Sequence, residues 1–150
     1  MIKLKKFIAA AVAAAAMGAV GVTAFAASTF GVNETVHGFK FDIGNEINEI
    51  GGCDFSLGAQ KNTEIPYAEA LVSQGNPAPS RSQPLTLYVV SHPNTLPKYH
   101  ATEPVDFYTA ADNYVKTLPY LSGQGKIDVE YYLCAICGEY NLKVSGLWCP

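Results

Sequence analysis

Cys134-Ala135-Ile136-Cys137 is the one stretch whose residue types and spacing suit reactive chemistry. Two thiols separated by two residues can cycle between dithiol and disulfide when one of them is acidified. Cys134 would then attack and Cys137 resolve, which defines an extracytoplasmic thiol-disulfide oxidoreductase. The local setting opposes this use. Redox pairs of this spacing take their acidity from a helix N-terminus, whereas this one lies between two strand-like stretches, with Glu130 and Glu139 close in sequence to disfavour a thiolate. A structural bridge is therefore the preferred reading. A four-cysteine zinc site would need two close pairs, and Cys53 and Cys149 are isolated.

Other chemistry finds little support. His37, His92 and His100 follow no metal-ligand spacing, and no serine sits in a G-x-S-x-G turn, so no catalytic residue and no metal ligand is assigned. Asp42, Asn45, Glu46, Asn48, Glu49 and Asp54 offer hard oxygens suited to calcium, but without the spacing of an EF-hand loop, and read as a solvated loop. Gly123-Gln124-Gly125 lacks the third glycine of a phosphate loop and precedes a strand, so it reads as a turn. Tyr131-Tyr132 places one ring on each face of a strand. Tyr132, with Tyr88 and Trp148, is thus a candidate aromatic platform for a sugar or a protein partner. No cofactor is implied.

The elements that must hold these residues read mainly as strands. Lys126 to Ala135 alternates strictly, with Ile127, Val129, Tyr131, Leu133 and Ala135 on one face and Lys126, Asp128 and Glu130 on the other. Tyr140 to Ser145 alternates as well, with Tyr140, Leu142 and Val144 inward, and Gly138 lies where a hairpin loop takes positive φ. His37 to Ile43 is a third strand, and Leu85 to Ser91 is apolar enough to be central. Residues 66–72 fit a short helix opened by Pro66 or an edge strand, and residues 107–118 fit a one-faced helix or two strands bent at Asp112-Asn113. Strand is preferred for both because the firm neighbours are strands. Gly75 to Ser80 and His92 to Pro97 read as loops.

On this reading residues 126–135 and 140–148 form a hairpin turning near Cys137, which sets Cys149 opposite the region of Lys126. The rise of about 3.3 Å per residue would separate Cys149 from Cys134 and Cys137 by more than about 20 Å, beyond the roughly 7 Å a disulfide spans. The pairing expected from the hairpin is Cys134–Cys137 with Cys53–Cys149.

Residues 1–26 have a different character. Lys3, Lys5 and Lys6 precede an Ala-rich apolar run from Phe7 to Val22, and Ala24-Phe25-Ala26 supplies a small-x-small cleavage pattern, so this segment reads as a secretory signal peptide. No cysteine near the cut can take lipid, and Leu147-Trp148-Cys149-Pro150 is no anchor, so a released extracellular protein without a stable membrane anchor is expected. The full chain of 150 residues carries a formal charge of −3. Without the three lysines of the signal, residues 27–150 hold 7 basic and 13 acidic residues, a net −6. That balance argues against nucleic acid as the partner.

Residues 27–150 are therefore expected to form one secreted all-β domain of six to eight short strands, an antiparallel β-sandwich or partly open barrel supported by disulfides. Gly138-Glu139-Tyr140 resembles the tyrosine corner of Greek-key sandwiches. The stretch from Tyr131-Tyr132-Leu133 through Gly138-Glu139-Tyr140-Asn141-Leu142 to Val144-Ser145-Gly146-Leu147-Trp148 resembles the ending of small secreted proteins of Gram-positive bacteria, a likeness that implies export and no activity. Size, export and tyrosine-rich strands also resemble small secreted bacteriocins of β-sandwich fold. The expected function is non-enzymatic binding of an extracellular protein or glycan, as a surface-binding or small antagonistic protein.

Overall fold

The computed structural model describes residues 30, 35–43, 53–56, 58–91, 100–111, 114–137 and 141–150. The signal segment 1–26, the loop 92–97, the bend at 112–113, the corner residues 138–140 and most of the acidic stretch 42–54 lie outside them. Within the described residues nine strands and no helix are present: β1 His37–Ile43, β2 Cys53–Phe55, β3 Ala59–Gln60, β4 Tyr67–Asn76, β5 Leu85–Val90, β6 Val105–Phe107, β7 Val115–Pro119, β8 Glu130–Cys137 and β9 Leu142–Cys149. They form two antiparallel sheets. The first runs β1-β9-β4-β7 and the second β2-β8-β5-β6, with β3 also paired to β8.

Alternation along the strands decides what faces the shared core. In β1, Phe39, Phe41 and Ile43 are buried while Lys40 and Asp42 are exposed, and Asp42 pairs with Lys143 at 2.8 Å on the wet side. Tyr131, Leu133 and Ala135 of β8, Leu85, Leu87 and Val89 of β5, and Leu142, Val144 and Trp148 of β9 join the same apolar cluster. Full burial of such a side chain contributes roughly 1.5–3 kcal/mol each. The predicted strands at 37–43 and 85–91 are thus β1 and β5, and β5 is central, between β8 and β6. The preference for strand in the two ambiguous stretches also holds. Residues 67–76 are β4, a central strand where an edge was expected and longer than foreseen, since it takes in Gly75 and Asn76; 107–118 contains the end of β6 and most of β7.

The hairpin is overturned. β8 and β9 follow one another in sequence but lie in different sheets: β8 pairs with β2, β3 and β5, and β9 pairs with β1 and β4. The strand expected from Lys126 begins only at Glu130, because residues 126–129 form a turn. Asp128 takes φ 62° there and donates its N–H to the Lys61 carbonyl at 2.9 Å. Ile127, expected inward, is 40% exposed.

With the hairpin goes the disulfide pairing it implied. β8 continues through Cys137, so Cys134 and Cys137 are three residues apart in one extended strand, about 10 Å at 3.3 Å per residue. Three is odd, so they also face opposite sides, Cys137 joining the shared core and Cys134 a cluster with Tyr88 and Val90. Cys53 pairs with Ile136, next to the last residue of β8, whereas Cys149 ends β9 opposite Glu69, seven residues beyond Leu142. That run is about 23 Å. Neither expected bridge is within the roughly 7 Å reach of a disulfide. The fold rests on its core.

Gly146 shows how tightly β9 is held. It pairs with Phe39 on one side and Val72 on the other, and a Cβ there would strike the Leu71 carbonyl and come within 2.6 Å of Phe39 Cζ. Gly38, one strand away, has open space where a Cβ would go. Gly146→Ala is therefore expected to destabilise by about 2–3 kcal/mol or more, and Gly38→Ala to change stability by less than about 1 kcal/mol. Urea unfolding of the two variants measures the contrast. A digest of native protein made without reductant should contain neither a Cys134–Cys137 bridge nor a peptide joining Cys53 to Cys149; finding either would contradict the strand register.

Candidate binding surface

The three aromatic residues singled out by sequence do not form one platform. Tyr88 and Tyr132 point away from the shared core, and cross-strand pairing of Val90 with Tyr132 and Tyr88 with Cys134 makes them diagonal neighbours in one cluster. Tyr88 is only 3% exposed, with the His100 ring stacked on it at 4.1 Å between centroids. Tyr132 is half-buried, and its hydroxyl donates to Glu130 Oε2 at 2.6 Å. That hydrogen bond, with a smaller contribution from burial, raises the Tyr132 pKa above its usual value. Trp148 belongs to the other sheet and points inward, fully buried, with its ring 6.2 Å from that of His37. Its Nε1 has no hydrogen-bond partner among the described residues. Tyr131 and Tyr132 do face opposite sides of the sheet, but burial of Tyr88 and Trp148 removes the broad exposed surface.

The Cys134-x-x-Cys137 pair is poorly placed for exchange chemistry. Cys134 is fully buried, Cys137 is 8% exposed, and burial pushes the Cys137 thiol pKa up, the reverse of what an attacking thiolate needs. Among the described residues no group of three or more His, Cys, Asp or Glu could hold a metal ion. Lys61, a residue that sequence periodicity did not mark, is fully buried. Its Nζ donates to the Pro150 oxygen at 3.3 Å and lies 5.0 Å from the Tyr120 ring centroid, so the cation ties the β3 region to the end of β9.

The exposed aromatic surface lies elsewhere, where the edge strands of the two sheets meet. β6 is the outer strand of the second sheet and β7 that of the first. Lys116 lies on β7 opposite Ala70, a core residue, so its side chain starts towards the interior and reaches across to β6, where Nζ donates to the Asp106 carbonyl. Three rings surround the ammonium, those of Phe107 at 5.2 Å, Tyr108 at 5.1 Å and Tyr114 at 5.3 Å to the centroids. Each is within cation–π range. Phe107 is buried, while Tyr108 and Tyr114 are 43% and 40% exposed.

The remaining contacts fix this cluster in place. Thr86, paired with Asp106 across the β5–β6 ladder, donates its hydroxyl to Asp106 Oδ1 at 2.6 Å, and the Tyr108 hydroxyl donates to Oδ2 at 3.4 Å. The Ala111 N–H donates to the Val72 carbonyl at 2.9 Å and the Tyr114 N–H to the Ala111 carbonyl at 3.1 Å, which hold the β6–β7 connection against β4. The sequence signal was available in the recurrence of aromatics between Phe107 and Lys116, but it reads there as one face of a helix. Only the crossing from one sheet to the other brings the rings around the lysine.

What the described residues define is a class of architecture, an all-β protein of two antiparallel sheets with a shared core and an aromatic–lysine cluster at one open side. Comparison of the chain with protein-family models, with curated proteins and with solved structures found no match.

His100 supplies a pH test of the packing outside the second sheet. Burial lowers its pKa from 6.5, partly opposed by the charge of Glu103, and its Nε2 is buried without a hydrogen-bond partner among the described residues. The unfolded chain thus takes up the proton at a higher pH than the folded one. The His100 contribution to stability is complete above about 6.5 and is lost as pH falls below it towards the folded-state pKa. His100→Phe keeps a ring on Tyr88 and removes the titration. Between pH 7 and pH 5 the urea midpoint of the wild type is expected to fall further than that of His100→Phe; an equal fall in both would show that His100 is not the group responsible.

Proposed function

We propose that the protein is exported and acts without catalysis, as a secreted β-sandwich that binds an extracellular or cell-surface partner through the β6–β7 edge. The observation that carries this reading is the exposure of Tyr108 and Tyr114 around a lysine that both rings already hold in position. Tyrosine is well suited to contact surfaces because it offers a large rigid face at low entropic cost together with a polar tip. Export is supported by the basic, apolar and small-residue sequence of the first 26 residues. The likeness of the C-terminal stretch to small secreted proteins of Gram-positive bacteria agrees with it.

The oxidoreductase alternative has the weaker support. Cys134 and Cys137 are buried on opposite faces of one strand, so a substrate disulfide reaching the first thiol would not meet the second. A bacteriocin-like antagonist remains within the proposal as one form of surface binding, since it too acts through contact with an envelope.

Two measurements test the proposal. Expression with its own first 26 residues should deliver to the medium a protein whose N-terminus lies close to residue 27. That protein should sediment with isolated Gram-positive cell envelopes, and the double variant Tyr108→Ala/Tyr114→Ala should bind at least about tenfold more weakly with its thermal midpoint little changed. Retention of the protein in the cytoplasm, or envelope binding indifferent to both tyrosines, would sink the proposal.

A further inference from the structure

The cluster at the β6–β7 edge also indicates what kind of ligand it takes. Its groups are of three chemical types, two exposed rings beside a half-buried carboxylate and a half-buried ammonium. Tyr108 and Tyr114 present aromatic faces, 43% and 40% exposed. Asp106 presents two carboxylate oxygens, each already receiving one hydroxyl, from Thr86 and Tyr108, and each with capacity for another donor. Lys116 uses one of its three N–H donors on the Asp106 carbonyl and makes no other hydrogen bond among the described residues. Among the described residues no carboxylate lies within ion-pair distance of Lys116, in a chain that carries 13 acidic residues against 10 basic ones.

Each type excludes some ligands. Tyr108, Tyr114 and Ile127 are the large hydrophobic side chains exposed among the described residues, so the two rings are the main aromatic faces this edge offers a ligand. Flat faces beside a carboxylate acceptor suit a pyranose, whose C–H faces lie on aromatic rings while its hydroxyls donate to a carboxylate. The ammonium held between the rings adds a fixed positive charge, and a charge already positioned by three rings loses little freedom on binding. Resting on the binding function proposed above, we propose that this site binds an acidic saccharide, a sugar ring carrying a carboxylate or a phosphate. The ring stacks on Tyr108 and Tyr114, the anionic group accepts from Lys116 Nζ, and a sugar hydroxyl donates to Asp106.

The acidity of the chain makes the test discriminating, because net charge repels an anionic polymer and only a local site can hold one. Native gels are cast with polygalacturonate, alginate, hyaluronate or phosphomannan, and in parallel with methyl-esterified polygalacturonate, dextran or mannan. Migration of the full protein should be retarded by at least one acidic polymer and by none of the neutral ones. The carboxylate and phosphate polymers distinguish the two sources of charge. Lys116→Met should weaken retardation at least tenfold, and Lys116→Arg, which keeps the charge, should retain most of it. Thermal melts of each variant separate loss of binding from loss of the lysine tie between the sheets.

Equal retardation by a neutral polymer, retention of binding in folded Lys116→Met, or no retardation by any acidic polymer would overturn the ligand assignment. If the wild type passes all acidic polymers while envelope binding still depends on Tyr108 and Tyr114, the ligand class falls and the binding site stands. If envelope binding ignores the tyrosines, both fall.

Discussion

The structure depends on one constraint: β8 and β9, adjacent in sequence, occupy inner positions of opposite sheets. Each then has a partner strand on both sides, and their inward residues meet across the core. Tyr131, Leu133 and Ala135 come from one sheet, and Leu142, Val144 and Trp148 from the other. A hairpin would have placed all of them in one sheet and left the second without a centre. The placing of β8 and β9 in facing sheets therefore sets the architecture, and the close passage of Gly146 between Phe39 and the Leu71 carbonyl follows from having neighbours on both sides of β9.

Alternation made much of this legible, and its failures have physical causes. β1 and β5 stand out because their residues alternate or run apolar over six or seven positions. Residues 126–129 mimic a strand through Ile127 and Val129, but Asp128 adopts a left-handed conformation that ends the pattern, which no periodicity count detects. Nor does alternation tell whether two successive strands turn back on each other or pass to the facing sheet, because the inward residues are the same in both cases. The cysteine pairing fails for a second reason, the extent of β8. Once β8 runs on to Cys137, the odd spacing from Cys134 forbids a bridge.

The aromatic surface is hidden from sequence for a related reason. Tyr88 and Trp148 qualify as ligand-facing only if their strands have an open side, yet the second sheet is covered at Tyr88 by His100, and Trp148 lies in the core. The cluster around Lys116 joins residues from two strands that never pair, so neither spacing nor strand identity announces it. Its charge balance is equally non-local. Lys116 stands ten residues from Asp106 in sequence, and the two are brought together only by the facing of two sheet edges.

Phe30 gives the proposed export a consequence in time. It is 8% exposed and packs with Leu71 and Cys149 on the outside of the first sheet, with Val36, Tyr67 and Leu147 around it. On the proposed export route, with cleavage after Ala26, Phe30 would be the fourth residue of the released chain. A processing peptidase grips several residues on both sides of the bond it cuts and needs them extended. Such an enzyme could not hold that stretch while Phe30 is seated, so the proposal requires removal of the leader before Phe30 docks onto the sheet. It thereby ties the seating of one ring to departure from the membrane.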